Sequence, residues 1–573
     1  MLKRFTAAAL LPFALWACTG DDGAALASTP APPATGLVSA ADPRAAEAGA
    51  QMLRKGGSAA DAAVATMLAL TVVEPQSSGI GGGGFMVLGD AAGGLETLDG
   101  RETAPMAAGP DWFLDPAGKP RPFMEAVMSG LSVGVPGNVR LVAEAHERHG
   151  KLPWKSLFDP AIALARDGFA ISERLHEFLG NAKNRAAARP EGKALFYDAA
   201  GEPLPAGTLV KNPELARTLE QIASEGPDAF YTGDNAIAIA VETAAATPHA
   251  RGMVTGDVEN YAARERTPVC GTYRSYRICG MGPPSSGATT VLAILKQLER
   301  FDLHALGKDS PVAWHLFAES QRLAFADREL YLGDDDFVPV PVKGLVDDAY
   351  LAGRSALISA DGTMATVSAG TPPAGGAQLG WADGDEPEEH GTSHFVAVDR
   401  WGDAVSYTST IEGSFGSGLM VGGYYLNNEL TDFSFSPEKD GRPVANRVQP
   451  GKRPRSSMAP TLVYDADGRL VLAVGAAGGS TIPVQVAKAL IGWIDWGLSA
   501  QDAIAQPMLY SPGDTMFIEP GTALEAMKPA LEALGHKAIV ARPLPLKANA
   551  AEWTATGWTG AADPRSEGAA VRE

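Results

Sequence analysis

A threonine stands at the sharpest change of composition in the chain. Residues 358–391 are small, polar and acidic, with few apolar side chains. From Gly391-Thr392-Ser393-His394-Phe395 onward, short apolar runs alternate with turns. A hydroxyl at such a junction can attack the carbonyl of the residue before it. A preceding glycine lets the backbone bend into the strained turn that this requires. Hydrolysis of the resulting ester would leave Thr392 with both its hydroxyl and a free α-amine. That amine has a reference pKa of about 7.7–8.0 and can act as the base that activates the hydroxyl. By spacing alone the signal is weak, since threonines open many strands.

The elements around it must hold such a group. Residues 395–398 and 404–407 flank the turn Arg400-Trp401-Gly402-Asp403 and predict a hairpin. Residues 43–54 and 58–72 predict two helices separated by Gly56-Gly57, the second opened by a capping-box-like Ser58 and Asp61. A glycine run at 79–84 leads into a strand at 85–88, and mostly helical patterns fill 135–245 and 287–332. Residues 358–391 read as a solvated linker. No internal repeat is present.

The first residues read as an export signal. Lys3 and Arg4 precede an apolar run from Phe5 to Leu15, too short to span a membrane as a helix. The run ends in Leu15-Trp16-Ala17-Cys18, which resembles a bacterial lipobox, with the signal (residues 1–17) cut before a lipid-bearing Cys18. A plain secretory signal with an incidental cysteine is the alternative, and both export the protein. Residues 18–36 then form a flexible, Pro-rich tether. The apolar run 62–73 is of a length for a buried helix. Cys270 and Cys279 fall opposite each other if Arg274-Ser275 is a hairpin loop, either bonded or as two buried thiols.

Composition excludes several classes. Among 573 residues, 47 Lys+Arg stand against 67 Asp+Glu, a net charge of −20 with no basic stripe, so nucleic-acid binding is not expected. Three cysteines are too few for a disulfide scaffold or a cysteine-built zinc site. With 65 glycines and 42 prolines, long uninterrupted helical arrays are disfavoured. Length alone suggests about four domains. The glycine run precedes a strand rather than opening a helix, so it is no dinucleotide fingerprint. His146 and His149 lack zinc-protease spacing and read as surface residues. Ser436-Pro437-Glu438-Lys439 matches a serine β-lactamase tetrad but has no companion motif.

An ordered set of segments carries a resemblance over residue 37 to the C-terminus. They are Glu74-Pro75-Gln76-Ser77-Ser78-Gly79-Ile80-Gly81-Gly82-Gly83, Asp99-Gly100-Arg101-Glu102-Thr103-Ala104-Pro105 and Pro283-Pro284-Ser285-Ser286-Gly287. Gly391-Thr392-Ser393-His394-Phe395, Leu426-Asn427-Asn428-Glu429 and Lys452-Arg453-Pro454-Arg455-Ser456-Ser457-Met458 follow. Gly478-Gly479-Ser480 and Asp563-Pro564-Arg565-Ser566-Glu567-Gly568 complete it. The chain resembles the γ-glutamyltransferases of the N-terminal-nucleophile hydrolase superfamily.

The resemblance implies an α/β (α+β) fold, a four-layer αββα sandwich built jointly by a large subunit (37–391) and a small catalytic subunit (392–573). These two would associate as a heterodimer after cleavage between Gly391 and Thr392. Thr392 matches the nucleophile, Thr410 a second threonine that positions it, and Gly478 and Gly479 the backbone oxyanion donors. Arg101, Ser456 and Ser457 match the groups that bind the substrate α-carboxylate. Glu412, Glu429 and Asp432 match those that bind its α-ammonium; some members carry Asn and Gln in place of the two glutamates. The implied substrates are glutathione and other γ-glutamyl compounds, with water, amino acids or peptides as acceptors, and no metal or cofactor. The implied location is periplasmic or cell-envelope, with Cys18 as the only membrane attachment. The stretch 433–455 is short and holds no Tyr or Trp, so it resembles the lidless bacterial members.

Two rivals remain at this level. An acylase of the same fold, acting on cephalosporin or glutaryl side chains, would keep Thr392 but take an acyl chain without an α-amine. A surface lipoprotein that binds glutamyl peptides without catalysis would stay a single chain.

Overall fold

The computed structural model describes residues 35–373, 380–382 and 391–573. The signal reading, Cys18, most of the tether and residues 374–379 and 383–390 of the junction segment lie outside the described residues. Among the described residues, no helix is long and apolar enough to cross a membrane.

Two large sheets organise the molecule. Their strands, in chain order, are β1 (Leu37–Ala40), β2 (Gly83–Gly89), β3 (Leu95–Asp99), β4 (Arg264–Arg266), β5 (Val269–Tyr273), β6 (Tyr276–Gly280) and β7 (Ser393–Val398). They continue with β8 (Ala404–Thr410), β9 (Thr461–Tyr464), β10 (Leu470–Ala477), β11 (Lys547–Thr554), β12 (Gly557–Ala562) and β13 (Ala569–Arg572). One sheet has the order β13-β1-β7-β8-β2-β3-β4 and the other β12-β11-β10-β9-β6-β5. Every strand pairing within these two sheets is antiparallel.

The predicted hairpin is the centre of the first sheet. Period-two alternation sends successive β7 side chains to opposite faces. Phe395 and Ala397 enter a core with Val64 and Leu68, while Val396 and Val398 enter a second core with Leu472 and Val474 of the other sheet. A strand buried on both faces reads as a near-continuous apolar run, and β7 does.

Helices back the sheets. α1 (Pro43–Arg54) starts with Pro43 in its first turn and the Asp42 side chain accepting from the Arg44 amide. α2 (Ala59–Val73) carries the predicted capping box of Ser58 and Asp61 and is buried on every side, so its hydrophobicity has no polar face. It packs against β7 and β8. Asp399, in the hairpin turn, accepts from the Ala59 amide at 3.0 Å and ties the turn to that helix. α3 (Asn138–His149), α4 (Gly287–Leu298), α5 (Pro311–Tyr331) and α6 (Ile482–Ile494) complete the larger helices used here. α4 packs on β5 and α6 on β10.

Cys270 and Cys279 pair directly across β5 and β6 and form a disulfide. Of the two readings left open by the sequence, the structure has the bonded one. His149 is an exposed group that bonds Glu96 at 2.7 Å, whereas His146 is half-buried against Trp154 and bonds the Leu152 carbonyl at 2.8 Å. The tetrad at 436–439 lies in a small exposed hairpin.

Candidate active site

The hairpin register brings two threonines to one end. Ser393 pairs with Ser409, and one step outward the Thr392 hydroxyl donates to the Thr410 hydroxyl at 3.0 Å. The Thr410 oxygen also accepts the Glu412 amide at 2.8 Å, so it is fixed by two donors. The Thr392 amide donates to the Ser77 carbonyl at 2.9 Å.

The backbone here is strained. Thr392 has φ 102° and Glu412 φ 71°. A β-branched residue in that region is an outlier, and such conformations cost about 1–3 kcal/mol unless their surroundings enforce them. The surroundings do so. A Cβ on Gly391 would lie 1.7 Å from the Glu412 carbonyl oxygen, and one on Gly82 2.0 Å from the Thr410 carbonyl oxygen. The glycine run is therefore what allows its backbone to lie against the end of β8.

Gly478 and Gly479 turn sharply out of β10, with φ 129° and 59°. A Cβ on Gly478 would meet the Pro545 carbonyl oxygen at 2.0 Å. Ala477, just before them, pairs with Lys547 on β11. The Lys547 ammonium donates to the Ser393 hydroxyl at 3.3 Å, which brings this turn to the same end of the molecule as Thr392.

The acidic group converges around one arginine. Arg101, 1% exposed, donates to the carboxylates of Glu429 and Asp432 and to the carbonyls of Pro454 (3.2 Å) and Arg455 (3.0 Å). Those carbonyls immediately precede Ser456 and Ser457. Glu412, Glu429 and Asp432 have carboxylate oxygens within 4.8 Å of one another. Burial pushes the Glu429 carboxyl up to about 7, against the pull of Arg101 and of a hydrogen bond with Glu412, while Asp432 adds repulsion. A hydrogen bond between two carboxyls needs a proton, so this pair holds one near neutrality. The fully buried Arg101 is held well above its ordinary value by Glu429 and Asp432, which outweigh its own burial.

The two serines are less exposed to a ligand than their types suggest. The Ser457 hydroxyl accepts from the Arg328 guanidinium at 2.7 Å, and the Ser456 hydroxyl accepts the Met458 amide at 3.1 Å. Each keeps its own proton to donate.

Contacts thus run without a break from Thr392 through Thr410, Glu412 and Glu429 to Arg101. Several participants escaped the sequence reading as individuals. Ser77 contributes only a backbone carbonyl. Arg328 orients Ser457 from α5. Glu102 is buried with no hydrogen-bond partner for either carboxylate oxygen among the described residues. Burial, then Glu429, push its carboxyl well up. It stands beside Arg101 inside a quoted motif, and that adjacency was the available signal. Lys547 had a weaker one, a lysine opening a strand whose next residues are mostly small.

The gamma-glutamyltranspeptidase family model matches residues 45–572. The glutathione hydrolase proenzyme of Bacillus subtilis (strain 168) is 40% identical over 512 residues, 88% of this chain and 85% of that protein. The glutathione hydrolase proenzyme of Escherichia coli (strain K12) is 36% identical over 593 residues, 99% of this chain and 98% of that protein. Among solved structures, the cephalosporin acylase from Bacillus halodurans superposes with a TM-score of 0.79 at 26% identity, covering 95% of this chain and 98% of that one.

Proposed function

The chain belongs to the gamma-glutamyltranspeptidase family and is an autoprocessing γ-glutamyltransferase and glutathione hydrolase, and from that premise we propose that Thr392 is the residue that carries both its self-cleavage and its catalysis. The observation that supports this most is the strained, buried Thr392 with its hydroxyl fixed on Thr410.

In self-cleavage the Thr392 Oγ attacks the Gly391 carbonyl carbon and the Gly391–Thr392 C–N bond breaks. The proton given up by the hydroxyl ends on the freed nitrogen. Water then hydrolyses the ester, leaving a Gly391 carboxylate and restoring the hydroxyl. The products are a large subunit (37–391) and a small subunit (392–573), held together as a heterodimer in a four-layer αββα sandwich. The interleaving of strands from both sides of residue 391 in both sheets supports that association.

In catalysis the Thr392 α-amine takes the hydroxyl proton as Oγ bonds to the γ-carbonyl carbon of the substrate. Gly478 and Gly479 N–H groups hold the oxyanion, each such donor being worth about 2.7–4 kcal/mol. The amine passes its proton to the leaving nitrogen, and water or an amino acid or peptide resolves the glutamyl ester. Glutathione and other γ-glutamyl compounds are the donors.

Arg101 and the hydroxyls of Ser456 and Ser457 bind the substrate α-carboxylate; Glu412, Glu429 and Asp432 bind its α-ammonium. In the structure Arg101 pairs with Glu429 and Asp432. A zwitterionic glutamyl end supplies one charge of each sign, so the site exchanges partners instead of stripping charges bare. This argues against an acylase that takes a glutaryl chain, which would leave the acids facing no cation. Preference for glutaryl-anilide over γ-glutamyl-anilide would reverse the assignment.

Residues 1–17 act as an export signal and 18–36 as a tether, with Cys18 lipidated and the enzyme in the periplasm or cell envelope. The short 433–455 stretch, pinned by Asn446 to the Asp432 carbonyl (2.6 Å) and the Arg455 amide (2.9 Å), supports an open pocket that admits γ-glutamyl peptides longer than glutathione. Intact-mass measurement tests the central reading. Two associated chains, ending at Gly391 and starting at Thr392, are expected. A wild-type protein that persists as one chain would sink it.

A further inference from the structure

Four polar side chains from both sides of the 391–392 junction meet in a buried group behind Thr392. Glu74 and Ser77 lie in the turn that ends α2, Ser393 opens β7 and Lys547 opens β11. The Lys547 ammonium donates to Glu74 Oε2 at 3.0 Å and Oε1 at 3.2 Å, and to the Ser77 and Ser393 hydroxyls at 3.3 Å each. The Ser393 hydroxyl donates to Glu74. Both members of the ion pair are 3% exposed.

A buried ion pair is weak evidence of a stabilising role, because an apolar replacement of similar volume is often as stable. This pair has a more specific setting. Lys547 holds the side chain of Ser77, whose carbonyl accepts the Thr392 N–H at 2.9 Å, and the side chain of Ser393, the next residue in the chain. The nitrogen so flanked is the one that becomes the α-amine.

That amine serves as a base only when neutral. With a reference pKa of about 7.7–8.0 it would be largely protonated at pH 7. A cation nearby disfavours its protonated form. Resting on the reading of Thr392 as an N-terminal nucleophile, we propose that Lys547, paired with Glu74, is a positioning residue that keeps the Thr392 α-amine neutral at the pH of catalysis.

Burial pushes Lys547 down to about 8, with Glu74 and Asp42 favouring its charged form and Arg174 opposing it. Two nitrogens of similar proton affinity then compete in one pocket, and their titrations are coupled. The other titratable groups near the junction add little. His394 is fully buried and pushed down to about 3, so it carries no charge. The Glu412 carboxyl is engaged with Glu429.

The test is the acidic limb of the pH profile of kcat/KM for a γ-glutamyl-anilide, measured after intact mass has shown cleavage. A single charge held one hydrogen-bonded side chain from the amine, partly offset by its partner, corresponds to a displacement of about one pH unit. Lys547→Met leaves Glu74 facing the amine and should move the limb up by about that much. Glu74→Gln combined with Lys547→Arg leaves a cation that burial does not discharge unopposed and should move it down. Lys547→Met combined with Glu74→Gln removes the cation together with its partner and should move the limb up by less than Lys547→Met alone, and Lys547→Arg should stay near the wild-type position.

A packing role alone would lower activity without opposite displacements. A limb that stays at the wild-type position in Lys547→Met, or that moves up when Glu74→Gln is added to Lys547→Arg, overturns the proposal. Loss of cleavage in all four variants, arginine and doubles included, also overturns it, as a purely architectural requirement. Failure of the underlying reading looks different: Thr392→Ala would then still be cleaved or active.

Discussion

The two ends of the candidate site are built from opposite materials. Around Thr392 the working groups are hydroxyls, backbone carbonyls and glycine turns, and position is imposed by contacts too tight for a side chain. Around Arg101 the working groups are charges, with Glu102, Glu412, Glu429 and Asp432 crowding a single guanidinium. The first end resists change in shape, the second resists change in charge balance. A reacting group needs fixed geometry at the moment of attack. A recognition group needs a desolvated charge that is matched both before and after the ligand arrives.

Five substitutions would sharpen or break this contrast. Thr392→Ala should leave the chain uncut and lower activity by roughly 10⁴-fold or more, read by intact mass and turnover. Gly391→Ala should block cleavage almost as completely though it removes no functional group, because its Cβ has no room beside the Glu412 carbonyl. Normal cleavage in that variant would mean that geometry does not govern the first end.

Gly478→Ala should lower kcat by about 10²–10³-fold with KM little changed, as expected from disturbing an oxyanion donor. Arg101→Lys keeps the charge but loses the planar fork, so it should raise KM by roughly 10–100-fold and change kcat far less. A fall in kcat alone would erase the distinction between the ends.

The smallest effect concerns protons. Glu429 sits near 7, so below that pH it is neutral and attracts the substrate ammonium less. KM for the donor should therefore rise several-fold as pH falls from about 8 to 6. Glu429→Gln should flatten that dependence; an unchanged slope would assign it to another group. The same shift has a stability consequence. The folded chain holds a proton on Glu429 that the unfolded chain has released between about 4.5 and 7. Without ligand, this group's contribution to stability falls as pH rises through that window.

Local patterns were legible. The capping box of α2, the hairpin at β7 and β8 and the opposed cysteines all depend on residues within a few positions of one another. The glycine run was visible, but its reason was not, because the strand it lies against comes over 300 residues later. Length suggested about four domains, whereas the described residues form a single compact unit. Strands from distant parts of the chain share both sheets, and no local feature announces such sharing.

The sequence by itself determined which residue types were available: a Gly–Thr junction ahead of a buried strand, a glycine pair for backbone donors, one arginine and a set of acids. Spacing reports these because strands and turns impose short-range rules on their own residues. Only the tertiary structure decided how they meet. It set Thr392 at a positive φ, paired Arg101 with its acids, and placed Glu74 and Lys547, 473 positions apart, behind Thr392. The balance of burial against charge is fixed by packing from many segments at once, and no short stretch of sequence carries it.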